Sequence, residues 1–222
     1  MLHEDRLLLT AASALTTRAT DTIRPRKEGS EVHSPHQHVL QLDIQGTPQA
    51  WISIEHAATH HAAGAVAWCD GASPLRTLRG GWNVAEGRQS LIEVFPIIAL
   101  RGAARVNLFD HAPSVAASKL FRRDRMTCAY CGQCFAERDL QCEHIVPESR
   151  GGTWNWMNLV AACASCNGRK AARTPEEARM PLLYVPYAPC RYEHFILSGR
   201  NILADQMEYL AAKLPRHSRW LA

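Results

Sequence analysis

QCEHIVPESRGGTWNWMNLVAACASCNGRK, residues 141–170, puts a Glu-His pair, a Gly-Gly turn, an Asn and a Cys-x-x-Cys-Asn within thirty residues. A core histidine needs no acidic neighbour, and a zinc knuckle needs no second Asn. The stretch reads as built around more than one ion.

Just upstream stands Cys128-Ala-Tyr-Cys131-Gly132, a second Cys-x-x-Cys pair, separated from Cys163-Ala-Ser-Cys166 by 31 residues. Two intervening residues let both thiolates face one ion, and a following Gly allows the tight turn such a knuckle needs. Four thiolates closing on Zn²⁺ make a structural site with no open position for water. Cys134 also follows Cys131 with two residues between; the Gly after Cys131 favours Cys128 with Cys131. Thioredoxin-type redox chemistry fits poorly, since neither matched pair is entered from a strand-to-helix pattern. Cys142 and Cys190 read as free thiols, and Cys69, without a ligand partner at useful spacing, as a buried one.

The insert between the two pairs carries the groups that phosphodiester cleavage requires. A water must be deprotonated in line with the leaving 3′-oxygen, and charge must be stabilised on the phosphate and on that oxygen. Histidine is the side chain whose ordinary proton exchange suits a general base near neutral pH, which makes His144 the candidate. Glu143 and Asn167 offer hard oxygen donors, suited to Mg²⁺ or Mn²⁺ rather than zinc. Neighbours on a strand face opposite ways, so Glu143 and His144 converge on one phosphate only at an irregularity or at an edge. Asn158 is placed to hold the His-bearing segment through side-chain to backbone hydrogen bonds. Arg150, Arg169 and Lys170 are candidate phosphate contacts, as are Arg122, Arg123 and Arg125; the alternative is a solvated helix face. Trp154 and Trp156 are expected to pack the turn.

CAYCG…EHIVPESRGGTWNWMNLVAACASCNGRK resembles the HNH endonuclease family, the zinc-bearing branch of the ββα-metal nucleases, over roughly residues 125–173. The flanking VLQLDI…WISIEHA…IIALRG and TPEEARMPLL are similar to sequence that accompanies the module in bacterial members. The resemblance implies a β-hairpin carrying Glu143-His144, then a helix carrying Asn167 and Lys170. It implies His144 as general base, Glu143 and Asn167 on a catalytic divalent ion, Asn158 fixing the loop, and structural zinc on Cys128, Cys131, Cys163 and Cys166. Two positions depart from the usual pattern: Glu143 stands where Asp or His is common, and Asn167 where the last His stands.

Outward from this module the chain reads as α+β. Residues 1–36 are expected to be a weakly structured segment and linker, in which His33 and His36, with His38 just beyond, read as solvated. Residues 37–112 are expected to form a small α+β unit. VLQLDI alternates as a strand, WISIEHAATHHAAG runs from strand into a helix stopped by Gly64, and AVAWCD and SLIEVFPIIALRG are strands between Gly- and Pro-containing turns. His56 and His60, four apart, read as a surface pair, and Trp51, Trp68 and Trp82 as core. Residues 113–183 are expected to be the nuclease module, entered by a helix over SVAASKLFRRDRM with Ser114 at its cap. TPEEARM should start a helix with a capping box. Residues 184–222 read as a C-terminal tail: RYEHFILSGRN as strand then turn, and a helix at about 202–214.

The bulk numbers agree. A chain of 222 residues with 46% hydrophobic content is globular, and its apolar runs are too short to cross a bilayer. No signal peptide is recognisable, so the reading is cytoplasmic, with thiols available to metal rather than to disulfides. Between Lys119 and Arg173, nine Lys/Arg oppose five Asp/Glu, so this stretch carries an excess equal to the chain's whole formal charge of +4. A DNA partner, double-stranded, fits that distribution. The leading reading is a divalent-metal-dependent DNA endonuclease; the alternative is a zinc-stabilised nucleic-acid-binding protein with weak or no cleavage. A third gives residues 37–112 the recognition of DNA or a protein partner. Pairing with a second copy or another protein is left open by the sequence.

Overall fold

The computed structural model describes residues 37–102, 113–216 and 218–221, so the expected linker at 1–36, with His33 and His36, lies outside the described residues. β1 (His38–Asp43) and β2 (Pro48–Ser53) form an antiparallel hairpin, with Val39 opposite Ile52 and Leu40 opposite Trp51. The Asp43 carboxylate closes their turn by accepting from the backbone N–H of Gln45 and Thr47 at 2.9 and 2.8 Å. β6 (Ile97–Leu100) runs parallel to β1, and β3 (Val66–Asp70) antiparallel to β6, giving the order β2-β1-β6-β3.

α1 (Ile54–Ala62) begins where Ser53 accepts from the His56 N–H, and Gly64 beyond its end takes a φ of +64°. The sheet alternation sends Val39 and Ile98 into a core with α1 and the hairpin of β4 (Arg76–Asn83) and β5 (Arg88–Val94). Leu40, Leu42, Ile97 and Ala99 point to the other face. That face is covered by α5 (Arg191–Ser198) and α6 (Ala204–Ala211). The C-terminal helices thus complete the core of the N-terminal sheet. Buried Gln206 fixes the docking by donating to His38 O at 2.7 Å and Pro96 O at 2.9 Å.

Several local expectations change. RYEHFILS is helix α5, not a strand: the Cys190 side chain accepts from the Glu193 N–H, and Phe195 and Ile196 fall on the face that meets the sheet. The Gly-rich stretch at 76–83 is strand β4; Gly80-Gly81 sits at a register shift between Arg79 and Trp82, where a Cβ on Gly80 would lie 2.2 Å from Ser90 Oγ. Trp82 is 67% exposed on this hairpin rather than in the core, and Cys69 is exposed.

The second half is a ββα arrangement. β7 (Leu140–His144) pairs antiparallel with β8 (Leu159–Cys163), with Glu143 opposite Val160 and His144 opposite Leu159. α3 (Ala164–Lys170) follows β8 directly. On one face of the hairpin Val160 and Ala162 pack with Tyr130 and Met180; on the other, Leu140, Leu159 and Ala161 pack with Leu120 and Phe121 of α2 (Ala117–Arg123). The helix at α2 is capped at Ala116 without a side-chain bond, not by Ser114. α4 (Pro175–Ala178) carries the expected capping box of Thr174 and Glu177. Among the described residues no helix is long and apolar enough to cross a membrane.

Candidate active site

The four sulfurs of Cys128, Cys131, Cys163 and Cys166 lie within 4.8 Å of one another. Two local turns bring this about. Gly132, with φ +73°, donates its N–H to Cys128 O at 3.0 Å and closes the first knuckle. Cys163 ends β8 and caps α3, its sulfur accepting from the Cys166 N–H at 3.4 Å, so this pair, contrary to expectation, is entered from a strand into a helix. Cys134 stands apart from the quartet, beside Thr127.

Thiols this close cannot all ionise unaided. Burial opposes the Cys128 thiolate, yet N–H donation from Cys131, Cys163 and Tyr130 outweighs it and brings that group down to about 7. Burial and the neighbouring thiols push Cys166 up to about 12, and Cys131 is also raised, by burial first. A dication is the species that relieves this conflict, and a closed soft tetrahedron fits Zn²⁺. Among the described residues this is the one group of three or more His, Cys, Asp or Glu ligand atoms gathered at metal distance.

Glu143 and His144 leave β7 on opposite faces, as regular pairing requires. Glu143 is 8% exposed and points to α3, where its Oε1 accepts from Lys170 Nζ at 2.6 Å. Lys170 Nζ also donates to His144 O at 2.7 Å. Asn167, one turn earlier on α3, donates its amide to Gln141 Oε1 at 2.7 Å. Gln141, Glu143, Asn167 and Lys170 thus share the α3 side of the hairpin. The oxygens of Glu143 and Asn167 suit a hard cation in kind, with one carboxylate oxygen engaged by an ammonium.

His144 is the last residue of β7, half-buried, with its ring 5.6 Å from that of Trp154 and inclined by 63°. Asn158 does what its position suggested: Oδ1 accepts from Val146 N–H at 2.8 Å, and Nδ2 donates to Val146 O and Thr153 O, both at 3.1 Å. Gly152 is needed here, because a Cβ would lie 1.7 Å from Val146 O.

The candidate phosphate contacts have the following partners within the chain. Lys170 is fully buried in its pair with Glu143. Arg150 forms a bidentate pair with Glu177 at 2.7 Å. Arg122 donates to Leu197 O and Gly199 O, and Arg125 to Arg219 O. Arg123 is completely buried: it pairs with Asp124, donates to Trp156 O, Leu159 O and Tyr187 O, and lies over the Trp156 and Tyr187 rings. Asp124 in turn accepts from the Ala161 N–H of β8 at 2.8 Å. This anchor behind the hairpin was hidden in a run of basic residues that looked like surface. Arg169 lines a groove of about 810 Å³ beside Cys166, with its guanidinium 3.9 Å from that sulfur. Trp156 packs as expected at 3% exposure, whereas Trp154 is 54% exposed.

Residues 128–183 match the family model of the HNH endonuclease, about a quarter of the chain. The matched part is similar to that family and contains the four-cysteine cluster. No curated protein matches the chain.

Proposed function

We propose that the protein hydrolyses phosphodiester bonds of double-stranded DNA, with His144 as the general base that activates water. The observation that carries this reading is His144 at the loop end of a hairpin whose other end is clamped by the cysteine quartet, with Asn158 bracing that loop. A rigid platform matters because in-line attack depends on position: an ångström of misplacement costs about a hundredfold in rate. His144 takes a proton from the attacking water; Asn158 keeps the imidazole's segment in place; the zinc-bound knuckles hold β8 and α3.

A divalent ion such as Mg²⁺ or Mn²⁺, held by Glu143 and Asn167, would supply charge stabilisation at the phosphate and the leaving oxygen. With the carboxylate and the imidazole on opposite faces of β7, this reading requires the phosphate to lie across the end of the strand. The account fits a cytoplasmic protein, where thiols are free for zinc.

A second reading, a zinc-stabilised nucleic-acid binder with weak or no cleavage, is favoured by the Lys170 ammonium on Glu143. Supercoiled plasmid incubated with zinc-loaded protein separates the two. Nicking or linearisation that requires added Mg²⁺ or Mn²⁺ is expected; salt-sensitive binding without any cleavage would favour the second reading.

A further inference from the structure

A general base must present one ring nitrogen to water and keep the ring from turning away. Imidazoles in such roles are ordinarily oriented by a hydrogen bond to the other nitrogen. Among the described residues the His144 ring makes no hydrogen bond; its recorded contact is with Trp154, edge-on at 5.6 Å and 63°. Aromatic pairs prefer this tilted geometry because the electropositive edge of one ring meets the electronegative face of the other.

The loop is built to keep the two rings together. Asn158 grips Val146, two residues beyond His144, through both its N–H and its C=O. The same amide grips Thr153 O, immediately before Trp154. Gly152 lets the two strands of the loop close to contact, since any side chain there would strike Val146 O and Asn158 Nδ2. Asn155 tightens the far side by accepting from the Met157 and Asn158 N–H groups at 2.9 and 3.0 Å. One amide therefore fixes both the His-bearing segment and the Trp-bearing segment, and their rings meet. Trp154 stays 54% exposed in this loop, whereas Trp156, two residues on, packs into the core at 3% exposure.

We infer that Trp154 is a positioning residue for the reaction: its indole is the wall that sets the orientation of the His144 imidazole, in place of a hydrogen bond to the ring. The inference rests on His144 acting as the base. It assigns Asn158 a second task, since the amide holds that wall as well as the loop.

The test compares wild type with Trp154→Phe, Trp154→Leu and Trp154→Ala in plasmid cleavage with Mn²⁺, with His144→Ala as reference. Leu and Ala are expected to lower kcat by about ten- to a hundredfold with KM little changed, and Phe to restore most of it, because an aromatic ring is what is needed. Zinc content and Tm report folding for each variant; if Ala fails to fold, the Phe and Leu pair carries the comparison. The His144 ring-proton resonances should shift on Trp154→Leu, as the indole ring current is lost, and only slightly on Trp154→Phe. If Trp154→Leu cleaves like wild type while His144→Ala is inactive, the positioning role is wrong and the base assignment stands. If His144→Ala itself cleaves like wild type, both fall.

Discussion

Lys170 Nζ lies 2.6 Å from Glu143 Oε1 and 2.7 Å from His144 O, so one buried ammonium joins the end of α3 to the two residues at the end of β7. The ion pair neutralises a carboxylate that the hairpin would otherwise bury alone. It also fixes the backbone from which the imidazole hangs.

Removing one member of that pair leaves an uncompensated buried charge. Lys170→Met is expected to cost about 3–5 kcal/mol, and Glu143→Gln in the same chain to recover part of the loss. Denaturant unfolding of the single and double variants measures it. Additive losses would show that the two groups do not depend on each other.

The cysteine quartet and Cys134 compete for the same reading in the sequence, and the geometry separates them. Cys131→Ser should abolish stoichiometric zinc and unfold the module, while Cys134→Ser keeps about one zinc per chain. Metal analysis with circular dichroism, before and after a chelator, reads both effects.

Asn158→Ala removes three hydrogen bonds to backbone in one substitution. A stability loss of about 1–2 kcal/mol is expected, with a loss of kcat near a hundredfold, larger than the Tm change accounts for. Asn158→Asp, which keeps the acceptor for Val146 N–H and loses both donations, should fall between. Parallel thermal melts and plasmid kinetics test it.

His194 on α5 has a buried Nδ1 without a hydrogen bond, and burial, with Lys119 and Arg191 nearby, pushes it down from 6.5 to about 4. The folded state therefore resists a proton that the unfolded chain accepts. Its contribution is complete above about pH 6.5, declines as pH falls from there, and is gone below about pH 4. Tm measured across that window should fall more steeply for wild type than for His194→Gln; equal slopes would remove the effect.

The zinc knuckles, the Asn158 brace and the capping box at Thr174 were legible in the sequence because each is a local device, set by spacings of two to twelve residues. β4 was missed because Gly80-Gly81 signals a turn, whereas here it bulges a strand around Ser90. The fates of Arg123 and Lys170 depend on partners 33 to 64 residues away for the first and 26 to 27 for the second, which no charge pattern reveals. The docking of α5 and α6 on the N-terminal sheet is longer-range still, as with Gln206 on His38 O, 168 residues apart. The opposed faces of Glu143 and His144 follow from strand alternation once regular pairing through residue 144 is known.

The most direct measurement is cleavage of supercoiled plasmid by wild type and His144→Ala, both zinc-loaded, with Mg²⁺ or Mn²⁺ present. The account predicts conversion to nicked or linear DNA by wild type and a loss of at least about a hundredfold in the variant, with zinc content unchanged. Equal rates for the two proteins would contradict it.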